Sequence, residues 1–149
     1  MPQSLSRVLV HVIFSTKDRR PLLTADLKPR LLAYIGGIAN ELNAKILAAN
    51  TVPDHIHLLI SLPATLAVAD LLRLVKTNSS KWVHDTWPGR EFAWQTGYGA
   101  FSVSESNKDR VGRYIAEQEE HHRTVTFQEE FLVFLRKHRI EYDERYIWD

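Results

Sequence analysis

The sequence contains no cysteine among its 149 residues. Disulfide bonds and cysteine-based zinc sites are therefore excluded, and a reducing compartment is the simplest expectation for the location of the chain. No apolar run approaches the roughly 20 residues that a membrane-spanning helix needs. No apolar stretch follows a basic start, as it would in a signal peptide. We therefore expect a cytoplasmic protein without a membrane partner.

An excess of one charge is also missing, because 19 basic residues balance 18 acidic ones. A net charge of +1 with neutral histidines does not by itself indicate a nucleic-acid-binding protein, since many of these are strongly basic. Many of the acidic residues, however, lie after position 116, and the part of the chain before it is more basic. The overall balance is therefore compatible with a local basic surface.

Hydrophobic patterning predicts one domain that comprises residues 1–149. Segments rich in β-branched and apolar residues predict four strands, at 7–14, 45–52, 55–62 and 100–104. Apolar residues at helical spacing predict a first helix opened by Thr24 as its N-cap, and further helices at 66–87, 107–122 and 127–139.

The order of these strands and long helices matches the βαββαβ pattern of ferredoxin-like folds. We expect an α+β, ferredoxin-like (RRM-like) sandwich with a four-stranded antiparallel sheet, helices on one face, and additional C-terminal helices. The other face of the sheet is expected to be free to carry a site.

Two histidines lie two positions apart in the third predicted strand. Side chains alternate across a strand, so His55 and His57 project from one face and Ile56 and Leu58 from the other. Two neighbouring neutral imidazoles are suited to bind a divalent first-row metal. A chance pair of packing or surface histidines remains the alternative when this pattern is considered alone.

The helix predicted at 107–122 carries a tyrosine and a glutamine on one face. Tyr114 and Gln118 are four residues apart. A tyrosine hydroxyl can act as a covalent nucleophile, and a metal ion that polarises a phosphate would help it to attack. The amide oxygen of Gln118 could supply a third ligand. Spacing alone does not exclude an ordinary packing tyrosine and a solvated glutamine.

The combination of these motifs resembles a known family. Residues 53–59 read PDHIHLL, which looks like the histidine–hydrophobic–histidine (HUH) motif. Residues 97–104, GYGAFSVS, precede the YIAEQ of 114–118, and VIFSTKDRR at 12–20 also fits. Over roughly positions 7–122 the chain resembles the single-tyrosine HUH transposases of the insertion-sequence two-hundred-like group.

This resemblance implies a mechanism and a set of site residues. Such enzymes bind hairpins at element ends, cleave single-stranded DNA and rejoin it through a covalent 5′-phosphotyrosine intermediate. By resemblance, Tyr114 is the catalytic nucleophile, and His55, His57 and Gln118 bind Mg²⁺ or Mn²⁺. The resemblance also implies a homodimer, in which the tyrosine helix of one subunit can complete the site of the other.

Ten further side chains are candidates for DNA contacts, because they are basic and can bind phosphate or aromatic and can stack on unpaired bases. They are the basic Lys17, Arg19, Arg20, Arg73, Lys76, Lys108, Arg110 and Arg113, and the aromatic Trp94 and Tyr98. Solvated charges and core packing are the respective alternatives. His121 and His122 are interpreted as cations that stabilise a helix C-terminus, and His11 as a structural residue or an outer partner of the site.

Residues 124–149 extend past the predicted catalytic helix, and the spacing of their apolar residues predicts a helix packed on the domain. The tail at 142–149 resembles a subgroup associated with repetitive extragenic palindromes (REP). Three alternatives to an active transposase therefore stay open. They are a domesticated REP-associated tyrosine nuclease, a non-catalytic regulator that binds hairpins or single-stranded DNA, and a hydrolase that activates water on the metal.

Overall fold

A computed structural model of the chain describes residues 3–149 and contains one antiparallel sheet. Its strands are β1 (Val8–Ser15), β2 (Lys45–Val52), β3 (His55–Leu62) and β4 (Gly99–Val103), in the order β2-β3-β1-β4. The strands agree closely with the predicted segments, and the α+β, ferredoxin-like class is confirmed. Pro53 and Asp54 form the tight turn between β2 and β3.

Five α-helices accompany the sheet in the described part of the chain. They are α1 (Lys28–Glu41), α2 (Val68–Thr86), α3 (Lys108–Ala116), α4 (Gln118–His121) and α5 (Phe127–Lys137). Short 3-10 turns at Lys17–Arg19 and Glu105–Asn107 follow β1 and β4.

Two predicted helix boundaries are wrong. The first helix begins at Lys28 and not next to Thr24, because the Thr24 hydroxyl is bonded to Asp26 and to Arg90 and does not cap a helix. The helix predicted at 107–122 is interrupted at Glu117, whose φ of −96° and ψ of 17° depart from helical geometry.

The larger core lies between one face of the sheet and the α1–α2 pair. Alternate residues of the central strands β1 and β3, including Val12, Phe14, Ile56 and Leu58, pack against the apolar sides of both helices. Burial of this continuous apolar surface provides the main stabilisation of the domain. It also forces the odd-numbered residues of β3 onto the opposite face.

That opposite face is covered, which corrects the expectation of a free face. α3 packs against β2 and β3, while Phe127, Phe131 and Leu135 of α5 form a second core with Ile13 and Phe101 of the sheet. The C-terminal extension therefore forms part of the second layer. Any site on this face is buried between the sheet and these helices.

The last residues of the chain return to the loop before β4. The backbone N–H of Gly97 donates to the carbonyl of Asp149 over 2.8 Å, and the ring of Trp148 lies against Phe127 and Phe131 of α5. The guanidinium of Arg19 lies over the same indole. The tail thus holds α5 against the domain.

Within residues 3–149, no helix combines the length and the apolar character that crossing a bilayer requires.

Gly99 offers a test of how closely α5 is docked. A Cβ added there would lie 2.6 Å from Cε2 of Phe131, whereas one added at Gly37 in α1 would meet no atom within 4 Å. We expect Gly99→Ala to lower the free energy of unfolding by about 1–3 kcal/mol through overpacking. The control Gly37→Ala should raise it by about 0.5–1 kcal/mol. Urea denaturation measures both, and an unchanged midpoint for Gly99→Ala would contradict this packing.

Candidate active site

The two predicted histidines lie on β3, an interior strand between β2 and β1. His55 and His57 alternate with Ile56 and Leu58, so both imidazoles project from the face opposite the α1–α2 layer. Each histidine is only 1% exposed. The prediction that they share a face is confirmed by their common contacts, and the site they form is buried.

A carboxylate that the sequence analysis did not identify lies between these imidazoles. Glu130 projects from α5 and is 2% exposed. Its Oε1 lies 2.9 Å from Nε2 of His57 and 3.4 Å from Nε2 of His55. His122, just after α4, brings a third imidazole whose Nε2 is 3.1 Å from the same oxygen. Together these four side chains form a compact group of potential metal ligands.

One signal in the sequence could have identified Glu130. α5 buries Phe127, Phe131 and Leu135, and Glu130 lies on the same side, three residues after Phe127. A carboxylate within an apolar helical face is costly to bury unless it is paired. His122 lies at a helix terminus, as expected, because it is the C-cap of α4, and its Nε2 also reaches inward to Glu130.

The electrostatics of the cluster favour an ionised carboxylate. Burial opposes the charge, but hydrogen bonds from His122, His55 and His57 outweigh it and hold the pKa of Glu130 well below its usual range. Burial lowers the pKa of His57 to about 4, so this imidazole is neutral near pH 7. Burial also disfavours charge on His55, but hydrogen bonds to Asp54 and Glu130 prevail and raise the pKa of His55.

Each β3 histidine is oriented by a partner at its other ring nitrogen. Nδ1 of His55 lies 2.7 Å from Oδ1 of Asp54 in the β2–β3 turn. Nδ1 of His57 lies 2.8 Å from Nε2 of His11 on β1, and burial followed by the proximity of His57 lowers the pKa of His11 to about 3. Such outer partners fix the tautomer and orientation of metal-binding histidines. His11 therefore has the geometry of an outer partner.

The predicted nucleophile lies beside this cluster in the same chain. The hydroxyl of Tyr114, on α3, donates to Oε2 of Glu130 and lies 3.2 Å from Nε2 of His121. Its ring centroid is 5.9 Å from that of His57. A single chain therefore brings Tyr114 and the histidine pair together. His121 lies in the last turn of α4, as expected, and also contacts the tyrosine hydroxyl.

A buried amide on the neighbouring strand anchors the tyrosine helix. Nδ2 of Asn50 on β2 donates to the carbonyl of Ile115 over 2.8 Å, and its Oδ1 accepts from the backbone N–H of Thr51 over 2.9 Å. Asn50 is the strand partner of His57. The sequence analysis missed this contact because it joins residues that are 65 positions apart.

The environment of Tyr114 keeps its hydroxyl protonated. Burial, followed by the hydrogen bond to the Glu130 carboxylate, raises the pKa of Tyr114 above its ordinary value of about 10. A phenol in this state is a weak nucleophile unless its proton is accepted during attack or the phosphate is activated. The Glu130 carboxylate orients this hydroxyl but, because its pKa is held so low, it is a weak acceptor for the phenolic proton.

Gln118, the predicted third ligand, is the first residue of α4 and is buried. Its Nε2 donates to the carbonyl of Tyr114 over 3.3 Å. Its Oε1 is buried without a hydrogen-bond partner within the described residues. A buried acceptor of this kind is unfavourable unless another group supplies a positive charge or a proton. A bound cation would satisfy it.

Among the predicted DNA-contact residues, Arg110 shares a cavity with the proposed nucleophile. Together with Tyr114 it lines an open cavity of about 370 Å³ beside α3. Lys137 and His138 from the end of α5 line the same cavity and were not predicted. The cavity combines basic side chains with the aromatic ring of Phe101, and such a surface suits a nucleotide.

Two predicted DNA contacts have roles inside the fold. Trp94 is 9% exposed, packs with Phe14 in the larger core, and donates from Nε1 to Oγ of Ser79 over 2.9 Å. Core packing, the alternative for this tryptophan, is therefore the correct one. The ammonium of Lys76 binds the carbonyls of Gln95, Thr96 and Gly97, so it ties the loop before β4 to α2.

The basic loop after β1 lies at the end of the sheet that carries His55. Ser15 pairs with His55, and the N–H of the next residue, Thr16, donates to the carbonyl of Asp54 over 2.9 Å. In this loop Lys17 is exposed, while Arg20 forms an ion pair with Glu91. The DNA-binding role of this loop stays a prediction.

Four other predicted contacts line surface pockets that are distinct from the cavity at Tyr114. Arg73 and Tyr98 line a shallow pocket at α2, while Lys108 and Arg113 line one between α3 and the edge of the sheet. Their roles in DNA binding also stay predictions.

Curated proteins include transposases that are similar to this chain. The ISDra2 transposase TnpA of Deinococcus radiodurans is 25% identical to this chain over 114 residues. The aligned region covers 72% of this chain and 81% of that protein. The transposase for insertion sequence element IS200 of Salmonella typhimurium is 26% identical to this chain over 115 residues. The aligned region covers 72% of this chain and 74% of that protein.

Solved structures share the fold. A crystal structure of a candidate transposase from Deinococcus radiodurans superposes with a TM-score of 0.63 at 23% identity, covering 79% of this chain and 98% of that one. A REP-associated tyrosine transposase bound to a REP hairpin superposes with a TM-score of 0.61 at 17% identity, covering 84% of this chain and 74% of that one.

The sequence profile of the family described as "Transposase IS200 like" matches residues 4–118, which include both β3 histidines and the whole tyrosine helix. Because this match spans most of the chain, the protein belongs to the family of IS200-like transposases.

Proposed function

We propose that this transposase cleaves and rejoins single-stranded DNA through a covalent 5′-phosphotyrosine intermediate on Tyr114, with a divalent metal at the β3 histidines. One observation carries the proposal. The Tyr114 hydroxyl is bonded to a carboxylate that also contacts His55 and His57, all within one chain. A nucleophile, a carboxylate that orients it and potential metal ligands therefore share one site.

The residues present fit a divalent cation. Neutral His57 offers a lone pair, and the buried Oε1 of Gln118 needs a positively charged partner. We propose that His55, His57 and Gln118 hold Mg²⁺ or Mn²⁺. When bound, the ion would polarise the scissile phosphate and stabilise the charge that develops on it.

The proposed reaction exchanges one phosphodiester for another. The Tyr114 oxygen forms a bond to phosphorus while the bond from phosphorus to the 3′ oxygen breaks. The phenolic proton leaves Tyr114, and the departing 3′ oxygen keeps the electron pair and takes up a proton. Since the phosphotyrosine conserves the bond energy, attack by a free 3′ hydroxyl reverses the step and joins strands without an external energy source.

The proposed partner is single-stranded DNA that contains a hairpin. A fold relative with a TM-score of 0.61 is bound to a REP hairpin, and the cavity beside Tyr114 contains Arg110 and Lys137 for phosphate contacts. We also propose a homodimer. Because each chain brings Tyr114 to its own histidines, the second subunit would serve to hold a second DNA end and would not be needed to complete the site.

The nucleophile is tested with Tyr114→Phe. Incubated with hairpin-containing single-stranded DNA and Mn²⁺, the unaltered protein should form a covalent adduct that survives denaturing electrophoresis. Tyr114→Phe should reduce adduct formation roughly a thousandfold or more, because the attacking oxygen is removed. Tyr34→Phe is the matched control, since Tyr34 stacks on Trp82 on the far side of the sheet.

Three outcomes of this assay would overturn the proposal. An adduct that persists in Tyr114→Phe would show a different nucleophile. Strand cleavage without an adduct would indicate a hydrolase that activates water. Hairpin binding without cleavage or dependence on metal would indicate a regulator.

The strand path is tested with Arg110→Ala. Removing this guanidinium from the cavity beside Tyr114 should weaken binding of single-stranded DNA, and the slope of log affinity against log salt should become shallower by about 0.7 for the lost contact. Fluorescence anisotropy at several salt concentrations measures both effects. Arg30→Ala is the control, since Arg30 lies over Trp87 on the α1–α2 side. Equal salt slopes for Arg110→Ala and the unaltered protein would rule out this path.

A further inference from the structure

We propose that Glu130 joins the metal centre to the nucleophile: Oε1 is a metal ligand beside His55, His57 and His122, and Oε2 positions the Tyr114 hydroxyl through a hydrogen bond. Glu130 and His122 lie beyond residue 118, where the match to the family profile ends. The segment after residue 118 would then supply two of the residues of the active site. The ligand set is independent of the reaction, while the role toward Tyr114 rests on the proposed function.

The imidazoles of His55, His57 and His122 all direct their Nε2 atoms toward one point. Nδ1 of His55 donates to Asp54 over 2.7 Å, and Nδ1 of His122 donates to the carbonyl of Val125 over 2.5 Å. Nδ1 of His57 is held by His11. With each Nδ1 occupied by an outer partner, each Nε2 faces inward. Histidine ligands of metal ions are held in this way.

The distances between these Nε2 atoms and Oε1 of Glu130 are those expected between ligands of a single metal ion. Oε1 of Glu130 lies 2.9, 3.1 and 3.4 Å from Nε2 of His57, His122 and His55. Nε2 of His55 and Nε2 of His122 are 3.0 Å apart. Ligands about 2.1 Å from a metal lie about 3.0 Å apart at octahedral angles and about 3.4 Å apart at tetrahedral angles. The four atoms therefore match edges of a coordination polyhedron.

The charges of the cluster also call for a cation. Nδ1–H bonds at His55 and His122 leave two Nε2 lone pairs facing one another at 3.0 Å, an arrangement that needs a proton or a cation between them. The Glu130 carboxylate contributes a negative charge to this group of ligands, which a divalent ion would balance. Because imidazole nitrogen suits first-row transition metals better than Mg²⁺, we expect Mn²⁺ to bind more tightly than Mg²⁺.

The second carboxylate oxygen faces the nucleophile. Oε2 of Glu130 accepts the hydrogen bond of the Tyr114 hydroxyl. This bond holds the phenolic oxygen beside the metal ligands. As the Tyr114 oxygen bonds to phosphorus, the bond from phosphorus to the 3′ oxygen breaks, the phenolic proton passes to water, and the 3′ oxygen takes up a proton from water. One carboxylate thus places the metal and the tyrosine at a fixed separation.

Metal binding by the full-length chain tests the ligand set. After chelation and removal of the chelator, Mn²⁺ and Mg²⁺ are titrated by calorimetry, and free Mn²⁺ is followed by electron paramagnetic resonance. Glu130→Gln should weaken Mn²⁺ binding at least tenfold. Glu129→Gln, which removes the same charge from the exposed side of α5, should leave the affinity unchanged. Equal or tighter Mn²⁺ binding by Glu130→Gln would overturn the proposal and identify Glu130 as a blocking group.

A second pair of variants separates ligation from folding. Thermal unfolding in chelator reports whether Glu130→Gln is folded. If it is not, His122→Asn carries the test, with the same tenfold weakening expected and an unchanged affinity overturning the assignment. Glu130→Asp keeps a carboxylate and should recover part of the Mn²⁺ affinity, whereas a purely structural role would give no such recovery.

The link to the nucleophile is measured by adduct formation at saturating Mn²⁺. Glu130→Gln should slow it about 10²-fold, because the Tyr114 hydroxyl loses the charged acceptor that orients it, whereas Tyr114→Phe should bind Mn²⁺ as tightly as the unaltered protein. A normal adduct rate in Glu130→Gln at saturating Mn²⁺ would refute the positioning role alone. If the unaltered protein binds Mn²⁺ through Glu130 but forms no adduct, the proposed function fails and the ligand set stands.

Discussion

A carboxylate that is removed from water is stable as an anion only when its protein partners replace the lost hydration. Glu130 meets this condition through three imidazoles on one oxygen and the Tyr114 hydroxyl on the other. These contacts join β3, the tyrosine helix and α5. The tyrosine helix and α5 therefore meet β3 at the same buried charge, and the site and the second layer of the fold form one unit.

Because side chains alternate along each strand, one face of the sheet forms the large apolar core and the other face carries the polar cluster. Even-numbered residues of β3 pack against α1 and α2 in a large apolar core, whereas His55 and His57 meet the polar cluster on the other side. The large core can hold the strand in place without help from the site. A buried polar cluster, which stabilises a fold less reliably than apolar packing, can therefore be tolerated on the opposite face.

The family match and the C-terminal extension contribute different parts of the site. Residues 4–118 match the profile of IS200-like transposases and include the β3 histidines, Tyr114 and Gln118. His122 and Glu130 come from the segment that follows. The extension is held in place by the aromatic contacts of Phe127, Phe131 and Trp148 and by the hydrogen bond between Gly97 and Asp149.

The sequence by itself determined the features that arise from local periodicity. Strand alternation places His55 and His57 on one face, and helical spacing places Tyr114 beside Gln118. Only the tertiary structure decided that α5 folds over this face, that Glu130 reaches His57 from 73 positions away, and that Tyr114 meets its own chain's histidines. These contacts depend on how separate elements pack, and no local pattern specifies that packing.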